Sequence, residues 1–165
     1  MMELCIRSQT GDHVIQCSFA LNNQPISTFR ICGLALPAFS GLAPYVNVRS
    51  AGCLADVGPI PPGRYYIVDR QSGGRLGWLH DRVSGKADWF SLYADDGKTD
   101  DETFCDQVTR GNFRLHPRGL AGISRGCIVI DSPGDFGRLR TLLIDRPMQA
   151  IPGSALRAYG IVTVE

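Results

Sequence analysis

The stretch NFRLHPRGLAGISRGCIVID, from Asn112 to Asp131, begins with a short run in which apolar and polar side chains alternate. Successive side chains of an extended strand point to opposite faces of a sheet. NFRLHP would therefore place Phe113 and Leu115 on one face, and Arg114 and His116 on the other. If the apolar face is buried, the polar face borders a cleft or solvent. The run predicts a strand of a β-sheet fold.

The same stretch ends in a second predicted strand, CIVID, which begins at Cys127. Ile128 and Ile130 would share one face, and Cys127 would lie on the opposite face with Val129 and Asp131. The ten residues between His116 and Cys127 include three glycines. That glycine content lets the chain fold back, so we expect the thiol and the imidazole to lie side by side.

Short runs of β-branched and aromatic residues recur along the rest of the chain, separated by 19 glycines and 10 prolines. Such runs are typical of strands bounded by turns. We expect strands in HVIQCSFA, TFRICGLAL, YYIV, DWFSLYAD and ALRAYGIVTV. We also expect a first hairpin that pairs ELCIRSQ with HVIQCSFA, and a break in the sheet at LPAFSGLAP, with Pro37, Gly41 and Pro44.

One segment has the pattern of a helix. Ser132 is a candidate N-cap, Pro133 suits the first turn, and Asp135 lies near the positive end of the helix dipole. Apolar residues then recur at helical spacing until Pro147. We therefore expect a single domain over residues 1–165 with a mainly β fold, sandwich-like or barrel-like, and one or two short helices.

The bulk composition excludes several function classes. With 17 basic and 16 acidic residues the net charge is +1, which disfavours binding to nucleic acid or to an anionic membrane. No run approaches the roughly 18 apolar residues of a membrane helix. The first residues lack the pattern of a signal peptide. We expect a protein made in the cytoplasm.

The six cysteines, at positions 5, 17, 32, 53, 105 and 127, form no Cys-x-x-Cys pair and have no histidine at zinc-finger spacing. The acidic segment 95–106 does not meet the register of a calcium loop and is interpreted as a solvated loop. We therefore expect no metal and no cofactor. One or two disulfides, or reduced core cysteines, remain open.

Cys127 and His116 are the candidate catalytic residues. Only a thiolate attacks well, and a neighbouring imidazolium or a cation such as Arg125 lowers the pKa of a thiol. Gly126 permits an unusual backbone conformation that would aim the Cys127 N–H at a developing oxyanion. Ser124 would orient the loop or the substrate. The alternative is that Cys127 only packs, because cysteine is among the most buried residue types.

Three further residues are candidates for substrate binding. Arg114 shares a predicted face with His116 and could bind a substrate carboxylate, or could pair with a nearby aspartate. Phe39 and Ser40, in the segment PAFSG, could line the cleft because loops on a β scaffold often carry binding groups. Phe39 could equally fill the core.

The segment Ser124-Arg125-Gly126-Cys127-Ile128 resembles the signature of YkuD-type L,D-transpeptidases, and IPPGRYYIVDR is similar to another of their motifs. The chain more closely resembles type VI secretion effectors with an L,D-transpeptidase-like fold. The resemblance spans about residues 36 to 131. It is carried, in order, by Pro37–Gly41, Gly58–Arg70, Gly73–Gly77, Trp89–Gly97 and Arg110–Cys127.

The resemblance implies an L,D-transpeptidase catalytic fold with Cys127 as nucleophile and His116 as base, and with Ser124 and Gly126 in the signature loop. Arg125 replaces the second histidine of the YkuD pattern, and a guanidinium cannot serve as a base at neutral pH. It is then left to lower the pKa of the thiol or to hold a substrate carboxylate.

The activity that the resemblance implies is that of an L,D-carboxypeptidase or L,D-transpeptidase. It would remove the terminal D-alanine of peptidoglycan tetrapeptide stems, or exchange it, in the periplasm of a target bacterium. The implied partners are the type VI secretion machinery and an immunity protein. Two alternatives stay open: a Cys-His acyl transferase or amidase with another substrate, and a non-catalytic peptidoglycan-binding module.

Overall fold

The computed structural model describes residues 14–69, 88–119 and 122–165. The first arm of the expected N-terminal hairpin and the GGRLG segment at 73–77 lie outside these residues. None of the helices in the described part of the chain is long and apolar enough to cross a membrane.

Eight strands close into a barrel, in the order β1-β12-β4-β5-β8-β9-β3-β2. Two small two-stranded sheets, β6-β7 and β10-β11, lie outside the barrel ladder. The mainly β fold with one or two short helices is confirmed. Within the described residues the strands are, in chain order, β1 Ile15–Phe19, β2 Ser27–Ile31, β3 Leu34–Phe39, β4 Gly63–Asp69, β5 Phe90–Ala94, β6 Glu102–Cys105, β7 Val108–Gly111, β8 Arg114–Pro117, β9 Ile128–Ile130, β10 Gln149–Ala150, β11 Arg157–Ala158 and β12 Gly160–Val164.

The barrel encloses the main core, because alternate residues of its strands point inward. Leu115 from β8, Phe113 directly before it, and Ile128 and Ile130 from β9 belong to this core, as their alternation predicts. A smaller cluster, which includes Val68 of β4, lies on the outer face. Each inward large side chain contributes about 1.5–3 kcal/mol of hydrophobic stabilisation. The outer faces of β8 and β9 are thereby left for polar groups.

The helix α1 spans Pro133–Ile144, as the sequence predicts. The Ser132 hydroxyl accepts a hydrogen bond from the N–H of Asp135 (3.3 Å), and Pro133 stands in the first turn. Phe136, with two leucines of the same face, joins the barrel core. The ring of Phe136 lies 6.3 Å from that of Phe90.

Two expectations about local structure are wrong in part. The strand does end within LPAFSGLAP, after Phe39, but Pro37 does not break it, because Pro37 lies inside β3 opposite Thr28. The Pro37 carbonyl accepts from the N–H of Asp131, so its main-chain groups face β9 and the ladder to β2 loses no donor. The segment 95–106 is not only a solvated loop, because it contains β6.

The sequence leaves the state of the cysteines open, and the structure establishes it for the five that lie in the described residues. Cys53 and Cys105 form a disulfide that links the loop before β4 to the end of β6. Cys32 is also disulfide-bonded. Cys17 and Cys127 form no disulfide. Burial raises the pKa of the Cys17 thiol to about 12, so this core thiol stays protonated at neutral pH.

Candidate active site

The candidate site lies on the outer face of the barrel, where β8 and β9 run parallel. The register pairs Leu115 with Ile128 and His116 with Val129, which places Cys127 beside Arg114. Neighbouring strands are about 4.8 Å apart, and diagonal neighbours remain within reach of long side chains. Cys127, Arg114 and His116 therefore share one face, with His116 on the diagonal from the thiol.

The His116 ring is held by two contacts. Its Nδ1 lies 2.8 Å from the carbonyl oxygen of Pro117. A carbonyl only accepts, so Nδ1 carries the proton and Nε2 keeps the lone pair of a base. The ring also stacks on Trp89, with the centroids 4.1 Å apart and an interplanar angle of 16°. The contact with Pro117 fixes the tautomer, and the two contacts together fix the orientation that general-base chemistry requires.

Cys127 is partly exposed, unlike a cysteine that only fills the core. Its Sγ lies 4.0 Å from the backbone carbonyl of Asn112, within the range of an S–H donor. Arg114 provides a positive charge on the same face. By Coulomb attraction this charge favours the thiolate over the thiol.

Gly126 is required at its position for two reasons. Its φ is +100°, a conformation that side-chain-bearing residues rarely adopt. A Cβ there would also lie 2.7 Å from Nη2 of Arg110 and 2.9 Å from the ring of Phe113. The expectation of an unusual backbone conformation before Cys127 is thus confirmed.

Ser124 holds the signature loop rather than facing a cleft. The residue is 2% exposed. Its hydroxyl donates to the carbonyl of Cys127 (2.7 Å) and accepts from the N–H of Gly41 (3.3 Å). Of the two roles that the sequence left open for Ser124, this geometry fits the orientation of the loop.

Arg114 is engaged by a carboxylate of the protein itself. Its Nη1 and Nη2 donate to Oδ1 and Oδ2 of Asp101, at 2.8 and 2.6 Å. Burial lowers the pKa of Arg114, but the bonds to Asp101 and the negative charges of Asp101 and the Cys127 thiolate outweigh it, and the net pKa is raised. The guanidinium of Arg114 therefore pairs with an aspartate of the protein, which is the second of the two possibilities that the sequence left open.

The other expected binding residues differ in their placement. Phe39 lies on the outer face opposite Val129, under the guanidinium of Arg118. Phe39 is buried at this face and does not belong to the barrel core. Arg125 is exposed.

Ser40 does not fit a side chain that touches substrate. It is fully buried, and its hydroxyl accepts from the N–H of Ile60 (2.8 Å). Its own N–H donates to the side-chain oxygen of the buried Asn47 (2.9 Å). Ser40 therefore holds the loop that follows β3, and the substrate role expected for it is corrected on this geometry.

Arg110 is an important residue that the sequence did not single out. The loop 41–62 and the hairpin β6–β7 are joined by the Cys53–Cys105 disulfide and by this side chain, and we call the assembly the loop–hairpin clamp. The buried guanidinium of Arg110 donates to four carbonyls of the loop, those of Gly52, Leu54, Gly58 and Pro59. Its cationic carbon lies 5.5 Å from the centre of the Phe113 ring. No local pattern signals these contacts, because all four partners are more than 50 residues away in sequence.

Trp89 and Asp101 are two further residues of the site that the sequence does not single out. The alternation in DWFSLYAD does place Trp89 on the face away from the core, but only the pairing of β5 with β8 brings it to His116. Asp101 is one of several acidic residues in its segment, and the sequence carries no signal that selects it.

Comparison with known families supports the resemblance. The Tlde1 domain model matches residues 35–154, which include Phe39, His116 and Cys127. No curated protein and no solved structure matches the chain. The L,D-transpeptidase-like fold expected from the sequence therefore stays a prediction. Since the match covers most of its length, the chain belongs to the Tlde1 domain family of type VI secretion effectors.

Proposed function

We propose that this effector is a cysteine enzyme that cuts the terminal D-alanine from peptidoglycan tetrapeptide stems, or exchanges it for another D-amino acid. The observation that carries the proposal is the arrangement of His116 and Cys127. The imidazole is fixed with Nδ1 on the Pro117 carbonyl, and the partly exposed thiol lies on the same face of the next strand. A base with a fixed tautomer beside a thiol is the arrangement needed for nucleophilic acyl transfer.

The reaction would begin when Nε2 of His116 takes the proton of the Cys127 thiol. The thiolate attacks the carbonyl of the bond between the diamino acid and D-alanine, and the carbonyl oxygen becomes an oxyanion. The backbone N–H of Cys127 is our candidate donor to that oxyanion, given the conformation of Gly126. His116 then gives its proton to the leaving amine, so D-alanine departs and a thioester remains.

The thioester has two chemically balanced fates. Water, deprotonated by His116, hydrolyses it to the free tripeptide stem and regenerates the thiol. The amine of a free D-amino acid attacks it instead and forms a new amide, with the same return of the thiol. Either fate consumes tetrapeptide donors of wall cross-links. Loss of these donors would make the protein toxic in the periplasm of a target bacterium, and we expect the producing cell to hold an immunity protein.

The test is a digest of purified tetrapeptide muropeptides by the oxidised protein, followed by mass spectrometry with and without an added D-amino acid. We expect tripeptide stems in water and exchanged stems with the amino acid present. Cys127→Ala should abolish both products, with a loss of at least about 10³-fold. Cys17→Ala is the matched control, because it removes a core thiol from outside the site and should retain activity.

Two other outcomes would redirect the assignment. If Cys127 alkylates rapidly but no stem peptide loses D-alanine, the Cys-His pair acts on a different amide or acyl substrate. If Cys127→Ala remains fully toxic when it is directed to a bacterial periplasm, the protein is a binding module and the enzymatic proposal is wrong.

A further inference from the structure

Asp101 contacts two of the groups that lie near the Cys127 sulfur. Its carboxylate holds the fork of Arg114, whose charge lies beside the thiol. Its backbone carbonyl accepts from the N–H of Asn112 (3.0 Å). The carbonyl of Asn112 is in turn the oxygen that faces Sγ of Cys127. One residue outside the barrel strands therefore fixes a cation and an acceptor at the nucleophile.

The cation and the acceptor favour opposite protonation states. A thiol can donate its proton to the Asn112 carbonyl, whereas a thiolate has no proton to donate and is repelled by the carbonyl oxygen. A guanidinium beside the sulfur stabilises only the thiolate. The carbonyl thus stabilises a resting thiol and the guanidinium an activated thiolate. A short movement of the Cys127 side chain would convert one state into the other.

Fixing Arg114 is essential to this arrangement. A free arginine side chain has many rotamers and a strong tendency to remain solvated, so its charge would be spread over a large volume. Two parallel hydrogen bonds to the Asp101 carboxylate hold the fork in a single orientation, and Nη1 also donates to the Phe113 carbonyl (2.8 Å). The approach of Asp101 depends on Gly111, since a Cβ at that position would collide with the Asp101 carbonyl oxygen.

We propose that Asp101 is a positioning residue, which activates Cys127 by holding Arg114 against the thiolate and by placing the Asn112 carbonyl that receives the resting thiol. The inference rests on the proposed function for the use of the thiolate. Its geometric basis is the chain of contacts from Asp101 through Arg114 and Asn112 to the sulfur.

The other charged groups around the sulfur come from different elements. His116 lies on the diagonal of β8, the exposed Arg125 precedes Gly126 in the signature loop, and Arg110 of β7 lies behind Gly126. Asp131 follows β9 and is paired with Arg118. Arg110 is bonded to the loop carbonyls and Asp131 to Arg118, whereas Asp101 is bonded to Arg114, so a substitution at Asp101 can be tested separately from these pairs.

The direction in which one substitution shifts the pH midpoint of thiol reactivity distinguishes a positioning role of Asp101 from a purely electrostatic one. Asp101→Asn keeps the size of the side chain but removes a negative charge near the sulfur. If Asp101 acted only through that charge, its removal would favour the thiolate and shift the pH midpoint of thiol reactivity down. If it acts by holding Arg114, the midpoint shifts up, because Arg114 keeps its bond to the Phe113 carbonyl but loses the paired bonds that hold its charge at the sulfur.

The experiment measures the rate of Cys127 alkylation by iodoacetamide between pH 5 and pH 10, a range chosen around the ordinary thiol pKa of about 8.5. The full chain is used with no reductant, so that the disulfides remain intact, and the site of modification is identified by peptide mass spectrometry. We expect an upward shift of the midpoint in Asp101→Asn and a larger one in Arg114→Gln. The rate at pH 7 should fall about threefold and about tenfold, respectively. Arg114→Lys keeps the charge and should restore most of the rate.

Asp131→Asn is the matched control, because it removes the carboxylate of a comparable Arg–Asp pair near the same loop and should not shift the midpoint upward. An unchanged or lowered midpoint in Asp101→Asn would overturn the inference. If Asp101→Asn does not fold, Arg114→Gln decides in its place: an unshifted midpoint there also overturns it. A normal set of shifts with no turnover of stem peptides would leave the inference standing and refute the proposed function instead.

Discussion

The strands that carry Cys127 and His116 and the loop–hairpin clamp beside them are built on different principles. In β8 and β9 each side chain takes its direction from the alternation of the strand, and a parallel ladder sets the distance between them. In the clamp, the loop 41–62 is held by one guanidinium and one disulfide. The ladder therefore decides which groups face the site, and the clamp decides how closely they are held.

The clamp should be the more fragile of the two, because it relies on few contacts. The core behind β8 and β9 is shared by many apolar side chains, so losing one leaves the others in place. In the clamp, by contrast, the charge-assisted hydrogen bonds to four loop carbonyls all come from the single side chain of Arg110. Burial lowers the pKa of that guanidinium, while the coulombic effects of Tyr65 and Asp56 oppose the lowering.

The largest effect is expected from Arg110→Met, which keeps a long side chain but removes every hydrogen bond. Carbonyls left without a partner in a buried loop cost about 1–3 kcal/mol each. The Leu54 carbonyl still accepts from the N–H of Gly58 and others will recover water, so we expect a loss of about 4 kcal/mol in the free energy of unfolding. Chemical denaturation of the oxidised protein measures it. Arg30→Met, an exposed arginine of β2, is the control and should change stability by less than about 0.5 kcal/mol. Similar losses in both variants would show that the clamp does not depend on Arg110.

A smaller loss is expected when the disulfide of the clamp is removed in the double variant Cys53→Ala/Cys105→Ala. The bond closes a loop with a sequence separation of 52, and removing it restores conformational freedom to the unfolded chain. We expect a loss of about 3 kcal/mol. Alkylation of Cys127 should also slow, because β6 follows directly on Asp101 and its position would be less well defined.

The control for this double variant is Cys17→Ala, which removes a core thiol without touching a disulfide. Its cost comes from lost packing, and it should leave the rate of Cys127 alkylation unchanged. If the double variant is as stable as the native protein and its thiol is as reactive, the clamp has no mechanical role and the contrast with the ladder is wrong.

The same contrast explains what could be predicted from the sequence. The alternation in NFRLHP and CIVID was sufficient to place Cys127, Arg114 and His116 on one face, since side-chain direction in a strand is a local property. The cap at Ser132 was equally readable, because the pattern lies within four residues. These are the parts of the structure in which sequence neighbours determine geometry.

The remainder depends on pairs that are distant in sequence. The partner of Cys53 and the carbonyls bonded to Arg110 are decided by how the loop folds over β7, which no local pattern encodes. Pro37 was misread for a related reason. Whether a proline breaks a strand depends on which side its missing N–H would face, and that requires the pairing of β3 with both neighbours.

The smallest effect is expected at the start of α1, a locally determined feature away from the clamp. Ser132→Ala removes the hydroxyl that accepts from the N–H of Asp135, and loss of such a cap costs about 1 kcal/mol. Thr141→Ala in the same helix is the matched control. Its hydroxyl donates back to the carbonyl of Gly137 on an exposed surface, so the change should be neutral or slightly stabilising.

Neither helix variant should change the pH midpoint of Cys127 alkylation, although Ser132→Ala should lower the midpoint of unfolding by denaturant. The pH midpoint should not change because the site is held mainly by the clamp, whereas loss of the helix cap lowers only the free energy of unfolding. If Ser132→Ala did shift the thiol midpoint as far as Asp101→Asn, the site would depend on global stability and not on the contacts of Asp101. That result would remove the distinction between the ladder and the clamp, because any loss of stability would then have the same effect on the nucleophile.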